Sequence, residues 1–482
     1  MVLVAALAAT YAWLIYKHAS PFAAGSDSSG YLNSARLLAA GRFTVDPREV
    51  PGYPPPWRFY SHMPLGFTMV EGDSRMAPTY PIGLPLHLAA LAPIVGWEKT
   101  ARVVNAFNVL AAGALLYALG RRLGLRAGWA LAGVAALWLS PLWTLFSLQP
   151  MSDPLATTWS LAAVLCAWRS QERWTWSVAA GAALGVAVLV RPANLILGVP
   201  LLIALRADWR AWAGGIAGGI PFAAALLVYN ARSYGEAFTT GYGFVGDAFA
   251  WENIPHNIAH FTLWVPLLSG VALAVAGLAL LAPRKFAAGV GGRARALLIA
   301  WFATFAAFYA SYWFASETWW YVRFLLPAFP AVILAGLLVL QRAAERSRRA
   351  RAIVIALVLG SLVTQRVLAA ELINWSVRDG ERRYYRVCQW LNEHLPATAI
   401  VASCQLSGAQ YYYTPFALLR WDQLPRDEME KVIAGVRAAG RPVYAVVFKF
   451  EEPRAWTEHL PGKWTELHEI ENDVGIWQWT GP

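Results

Sequence analysis

Residues 102–126 read RVVNAFNVLAAGALLYALGRRLGLR, and this stretch decides the architecture. Between Arg102 and Arg121 no side chain carries a charge, and at 1.5 Å of rise per residue such a run is long enough to cross a hydrocarbon layer about 30 Å thick. It stops at Arg121, Arg122 and Arg126, the cluster expected where a membrane-spanning helix emerges on the cytoplasmic side.

Similar runs recur in both directions. About eleven are present, near residues 1–18, 102–120, 127–147, 153–168, 174–190, 193–205, 211–229, 258–282, 296–314, 323–340 and 352–370. Composition agrees: of 482 residues 57% are hydrophobic and only 14% charged, too few charges for the surface of a water-soluble protein of this size. Disorder and an ordinary cytosolic enzyme are excluded. The net charge of +11 brackets the apolar runs, so it reads as membrane topology and not as a nucleic-acid surface. Many of the 25 Trp residues, among them Trp97, Trp143, Trp168, Trp174, Trp251, Trp264, Trp319 and Trp320, stand at run ends, where an amphipathic ring suits the headgroup zone. The first run looks like a signal peptide in part, but no small-residue cleavage site follows, and it is read as a retained span.

Lys and Arg in the short loops fix the direction. One set of loops holds Arg121, Arg122 and Arg126; Arg169 and Arg173; Arg206 and Arg210; Arg284, Lys285, Arg293 and Arg295; and Arg342, Arg346, Arg348, Arg349 and Arg351. The alternate set holds only Arg191, Arg232 and Arg323. The first set is therefore assigned to the cytoplasm, which puts the loop at 19–100 and the tail outside the plasma (inner) membrane. The loop is rich in proline (Pro47, Pro51, Pro54, Pro55, Pro56, Pro64, Pro78, Pro81, Pro85), so it is no plain helix, and its piece at 81–96 is expected to lie along the outer surface.

After residue 380 the texture changes. Helices are expected at 381–394, 407–413 and 426–439, and strands at 398–403, 416–420, 442–449, 464–470 and 474–479. This alternation suggests a two- or three-layer α/β unit with a mostly parallel sheet. The expected fold is a polytopic α-helical membrane protein with a small extracytoplasmic α/β domain: residues 1–380 form the membrane domain and 381–482 the soluble one. No Gly-rich phosphate loop opens a helix of the tail, which argues against nucleotide binding. Cys388 and Cys404 allow one bridge, with two free thiols the plainer reading.

The outer face gathers the residues with chemistry. Asp27, in Gly25-Ser26-Asp27-Ser28, follows the first span; Ser26 or Asp27 is expected as the N-cap of a helix ending at Gly41, and Asp27 is the candidate general base. Asp153, before Pro154, is the second outer acid, expected as a cap or as a partner in a shared site. Arg191, Arg232 and Arg323 are exceptions to the charge rule: either they anchor to headgroups, or their guanidiniums bind a phosphate in bidentate fashion. Tyr31, Tyr80 and His256 are candidates for substrate contact, with His260 nearby.

In their order along the chain these residues resemble the GT-C superfamily of membrane glycosyltransferases, which includes the protein O-mannosyltransferases and the aminoarabinose transferases of lipid A. The resemblance covers nearly all of residues 1–380. It rests on Asp27 with Tyr31, Ala35 and Gly41; on Tyr80-Pro81-Ile82-Gly83-Leu84-Pro85; on Arg102 through Arg122; on Met151-Ser152-Asp153-Pro154; on Arg191-Pro192; on Asn230 with Tyr234-Gly235; and on Arg323 through Pro330. It implies transfer of a sugar, usually with inversion, from a polyprenyl-phosphate carrier to an acceptor hydroxyl on a lipid, glycan or protein of the cell envelope. Asp27 would be the base, Asp153 a helper or metal ligand, and the outer arginines the phosphate clamp. The mannosyltransferase pattern has Glu directly after the first-loop Asp, whereas Ser28 stands here, leaving the acceptor type and any Mg²⁺ or Mn²⁺ open.

The chemistry of compartments points to the same donor, because a site outside the membrane needs a sugar already carried across it. A multi-pass transporter would instead show ionisable residues at mid-bilayer and matching broken spans. A lipid-linked polysaccharide ligase or polymerase would use a diphosphate carrier. A non-catalytic scaffold is the fourth reading.

Overall fold

A computed structural model describes residues 2–53, 59–70, 74–243, 245–282, 290–373 and 375–482. Pro54, Pro55 and Pro56 of the first loop and Arg284 and Lys285 of the charge pattern lie outside the described residues.

In chain order the helices are α1 (Val2–His18), α2 (Gly25–Ala39), α3 (Gly83–Val95), α4 (Trp97–Arg122), α5 (Ala127–Trp138), α6 (Pro141–Ser147), α7 (Ser152–Arg169), α8 (Trp176–Val190) and α9 (Gly198–Leu205). They continue with α10 (Trp209–Tyr234), α11 (Asn253–Ser269), α12 (Val271–Gly277), α13 (Gly292–Ala310), α14 (Phe329–Ala344), α15 (Arg348–Ile373), α16 (Val377–His394), α17 (Ser407–Tyr413) and α18 (Arg426–Ala438). Helical structure thus occupies every apolar run picked out above. Among the described residues four helical stretches are long and apolar enough to cross a membrane, and six if α5 with α6 and α11 with α12, bent by 62° and 120°, each count as one. The 120° bend falls at Gly270 (φ +102°), which lets the chain reverse after Ser269.

The chain forms two compact units. One comprises Met1–Ala19, Arg102–Leu226 and Phe244–Val377. Its helices are tied by buried polar side chains: Gln365 Nε2 donates to the carbonyls of Ala136 (3.1 Å) and Leu268 (3.0 Å), and Asn257 Nδ2 to those of Ala310 (2.7 Å) and Tyr312 (2.8 Å). Where helix ends leave carbonyls unsatisfied, such side chains supply the missing donors.

The second unit comprises Ser20–Ala101, Leu227–Gly243 and Arg378–Pro482. Its first stretch carries the antiparallel pair β1 (Phe67–Met69) and β2 (Met76–Pro78). Its last stretch carries β3 (Ile400–Ser403), β4 (Ala417–Leu419), β5 (Val443–Phe448), β6 (Lys463–Ile470) and β7 (Val474–Gly481), in the order β4-β3-β5-β7-β6. Along β5, Val443, Ala445 and Val447 pack into one apolar cluster with Met429 and Val432 of α18, while Tyr444, Val446 and Phe448 join a second with Val387 and Leu391 of α16. With a core on both faces, the sheet is the middle of three layers.

The sheet is mixed, not mostly parallel. β3 runs parallel to β4 and β5, but β7 runs antiparallel to β5 and β6. The reason is local: Glu471 (φ +55°) and Asn472 (φ +52°) form a tight turn between β6 and β7, and a connection that short joins only antiparallel strands. All three cysteines are free.

Candidate active site

In the second unit the chemistry centres on the first turn of α2. The helix starts two or three residues earlier than the capping pattern predicted: Ala24 is its N-cap and makes no side-chain cap, so neither Ser26 nor Asp27 caps it. Gly25, at φ +52°, makes the turn into the helix and leaves Asp27 inside the first turn. There the unpaired backbone N–H groups and the positive end of the helix favour a carboxylate. Asp27 is half-buried.

Tyr80 closes over this turn. Its hydroxyl is 2.6 Å from Ser26 Oγ and also hydrogen-bonds the Asp27 carboxylate. Burial pushes the Tyr80 phenol well above its ordinary value, and the negative charge of Asp27 pushes it further. The buried Tyr31, one helical turn after Asp27, packs its ring 5.0 Å from that of Tyr80. Tyr242 lies 6.2 Å from Tyr80 on the other side of the chain reversal, where Tyr234 Oη donates to the Pro78 carbonyl at 2.7 Å. Gly30 permits this packing, since a Cβ there would stand 2.5 Å from the Tyr80 ring. Of the predicted residues, Asp27, Tyr31 and Tyr80 are therefore together. Arg232 is exposed, its guanidinium 5.7 Å from the Phe43 ring, and among the described residues no contact links it to Asp27.

Glu381 is a residue that sequence reading missed. It stands in the first turns of α16, and Ser28 Oγ, next to Asp27 in the chain, donates to its Oε1 at 3.4 Å. Ser20 is a second hydrogen-bond partner, while Oε2 is buried with no partner. Burial raises its pKa to about 8. The only signal was an acid in the basic stretch Arg378-Asp379-Gly380-Glu381-Arg382-Arg383, too weak to single it out.

The other unit holds the second set. Asp153 is the second residue of α7, whose N-cap is Met151, so it is not the cap either. Its buried carboxylate forms an ion pair with Arg191, which sits at the break between α8 and the 3-10 turn Pro192–Leu197. Pro192 explains the break, since it cannot continue the helix. The Arg191 guanidinium lies 5.2 Å from the Phe324 ring, and that of Arg323 lies 5.5 Å from the same ring and 5.3 Å from Phe146. The structure thus brings Asp153 to Arg191, and Arg191 and Arg323 to one Phe324 ring. Tyr309 stacks on Phe324 at 5.1 Å. His256 is exposed at the start of α11, and His260 lies 6.3 Å from Trp264; among the described residues neither touches the Asp153–Arg191 pair.

The same unit contains a cavity of about 510 Å³ between α11, α12, α13 and α14, with Phe261, Val265, Leu278, Phe302 and Ala335 in its wall. Its lining is almost wholly apolar. Among the described residues no three His, Cys, Asp or Glu side chains are grouped to hold a metal ion. The donor set at Asp27, one carboxylate beside two hydroxyls, is short of the roughly six oxygen ligands that Mg²⁺ or Mn²⁺ takes.

The chain shares its fold with two proteins of solved structure, ArnT and AftD. The chain is similar to ArnT from Cupriavidus metallidurans, solved bound to undecaprenyl phosphate, with a TM-score of 0.61 and 15% identity over 99% of this chain and 97% of that one. The apo form of the same protein matches at a TM-score of 0.60 and 14% identity over the same shares. The arabinofuranosyltransferase AftD from Mycobacteria matches at 0.57 and 14%, over 99% of this chain but only 40% of AftD. No known family matches by sequence, and no curated protein does.

Proposed function

We propose that the protein is an integral-membrane glycosyltransferase that moves a sugar from a polyprenyl-phosphate donor to an acceptor hydroxyl at the outer face of the membrane. The carrying observation is the pair of guanidiniums, Arg191 and Arg323, within 5.2 and 5.5 Å of one Phe324 ring. Two cations held against apolar and aromatic surface suit the phosphate of a lipid. The apolar cavity in the same unit suits its prenyl chain, and ArnT, which shares this fold, was solved bound to undecaprenyl phosphate, which supports that donor. About eleven spans, with the tail outside, complete the topology.

In the reaction the acceptor oxygen attacks the anomeric carbon of the sugar while its proton passes to the Asp27 carboxylate. The bond from that carbon to the phosphate oxygen breaks, and the electron pair leaves on the lipid phosphate. Arg191 and Arg323 stabilise the charge that develops there, and attack opposite the leaving group inverts the anomeric centre. Asp153 keeps Arg191 in place. Tyr31 and Tyr80 frame the base, and Arg232 and His256, both exposed, are assigned to substrate contact.

The test is assay of the purified protein with a set of polyprenyl-monophosphate sugars. Asp27→Asn should remove transfer, and Arg323→Ala should raise the donor KM by roughly ten-fold or more, the loss of one hydrogen bond to a charged group. Wild-type turnover by both variants rejects these roles, and transfer only from diphosphate carriers favours a ligase.

A further inference from the structure

A second concentration of charge lies away from the first turn of α2, at the C-terminal end of that helix and within the same unit. Three arginines, Arg36, Arg42 and Arg48, line one cavity of about 450 Å³ together with Tyr411, Tyr412 and Asn392. Among the described residues no acidic side chain stands in its wall.

Local structure places each cation. α2 ends in a Schellman motif: Arg42 N–H donates to the Leu37 carbonyl (2.8 Å), Gly41 N–H to that of Leu38 (2.9 Å), and Gly41 takes φ +69°. The reversal brings Arg42 back beside Arg36, which lies in the last turn of α2. Arg36 packs its guanidinium 3.4 Å from the Tyr412 ring and donates to the Tyr412 carbonyl at 2.8 Å. Arg48 lies 4.4 Å from the Tyr411 ring and donates to the carbonyls of Tyr411 and Phe416, both at 2.8 Å. These contacts serve the end of α17, but they use only one or two of the five N–H groups of each guanidinium.

The charge remains unbalanced. Among the described residues no carboxylate pairs with Arg36, Arg42 or Arg48, and burial pushes Arg48 below its ordinary pKa. Asp46 is the acid that acts on Tyr411, and it lies outside the cavity wall. Three guanidiniums around one cavity, two of them packed on tyrosine rings and one with no side-chain hydrogen bond among the described residues, match a phosphate better than a single carboxylate. Phosphate offers more charge and more acceptor oxygens for bidentate contacts. We propose that the Arg36–Arg42–Arg48 cavity binds a phosphate monoester, distinct from the donor phosphate assigned to Arg191 and Arg323. The group is carried either on a lipid headgroup or on a water-soluble phosphoester.

The test uses the full chain in nanodiscs of phosphatidylcholine, titrated separately with inorganic phosphate and with dioctanoyl phosphatidic acid, and read by calorimetry. Two variants leave the carbonyl contacts of Arg36 and Arg48 intact. Arg42→Gln removes one cation that holds no backbone group, and Ala40→Glu places a competing carboxylate in the cavity wall. The expected result is saturable binding by the wild type that weakens roughly ten-fold in Arg42→Gln and at least as much in Ala40→Glu. Binding of phosphatidic acid alone identifies a lipid headgroup, and binding of inorganic phosphate as well identifies the phosphate itself as sufficient. Absence of saturable binding of both probes, or equal affinity in wild type and both variants, overturns the proposal. Because the readout is binding, it is independent of glycosyl transfer.

Discussion

The hydroxyl of Tyr80 lies 2.6 Å from Ser26 Oγ and hydrogen-bonds the carboxylate of Asp27, so a residue of the proline-rich loop bears directly on the first turn of α2. Burial and the Asp27 charge keep that phenol protonated through the neutral range. Tyr80 is therefore a hydrogen-bond donor to Asp27 and orients it. Tyr80→Phe should lower kcat by roughly ten-fold, the worth of one hydrogen bond to a charged group, without adding a limb to the pH profile below about pH 9. A pH–rate profile of the variant decides this, and unchanged kcat removes Tyr80 from the site.

Gly30 tests the same geometry without touching a polar group. A Cβ there meets the Tyr80 ring at 2.5 Å and the Gly66 Cα at 3.0 Å, so Gly30→Ala forces the ring away from Asp27. Transfer should fall by roughly ten-fold or more, as when a supporting shell shifts by an ångström, with helical content by circular dichroism unchanged.

The ion pair of Asp153 with Arg191 makes a stability prediction. Asp153→Ala leaves a largely buried guanidinium without its counter-ion and should cost about 3 kcal/mol, seen as a lower unfolding temperature in detergent. The double substitution Asp153→Leu with Arg191→Met removes both charges and should recover most of that loss. A double variant as unstable as the single one shows that the pair itself stabilises the helices.

Glu381 sets a pH dependence. Its pKa is raised from 4.5 to about 8 by burial, so the folded state holds a proton that the unfolded state releases. Its contribution to stability is fully present below about pH 4.5 and is lost as pH rises toward 8. The unfolding temperature should fall across that window in the wild type and fall less in Glu381→Gln. Equal slopes place the titration elsewhere.

Much of the fold was legible in the residues, for physical reasons that particular segments show. Arg102 through Arg126 reveal a helix because uncharged length and terminal arginines are local quantities. The strands of the tail are legible because Val443 to Phe448 alternate between two buried faces. Gly41 is readable as a helix end because φ above zero favours glycine. The same rules misplace the start of α2, where Ser26 and Asp27 read as caps but Ala24 holds the position, since their side chains are engaged by Tyr80, 54 residues away from Ser26.

The sequence by itself determined that the chain has long apolar helices and that a segment alternating helices with strands follows them, and it put forward Asp27, Asp153 and a few arginines as candidates. Those conclusions depend on hydrophobicity, charge and spacing, which act along the chain. Only the tertiary structure decided that Asp153 pairs with Arg191, that Glu381 faces Ser28, that Tyr80 covers Asp27, and that three arginines line one cavity. The first three are contacts between groups 38 to 353 positions apart, and Arg36 meets Tyr412 across 376; no local periodicity encodes such a meeting.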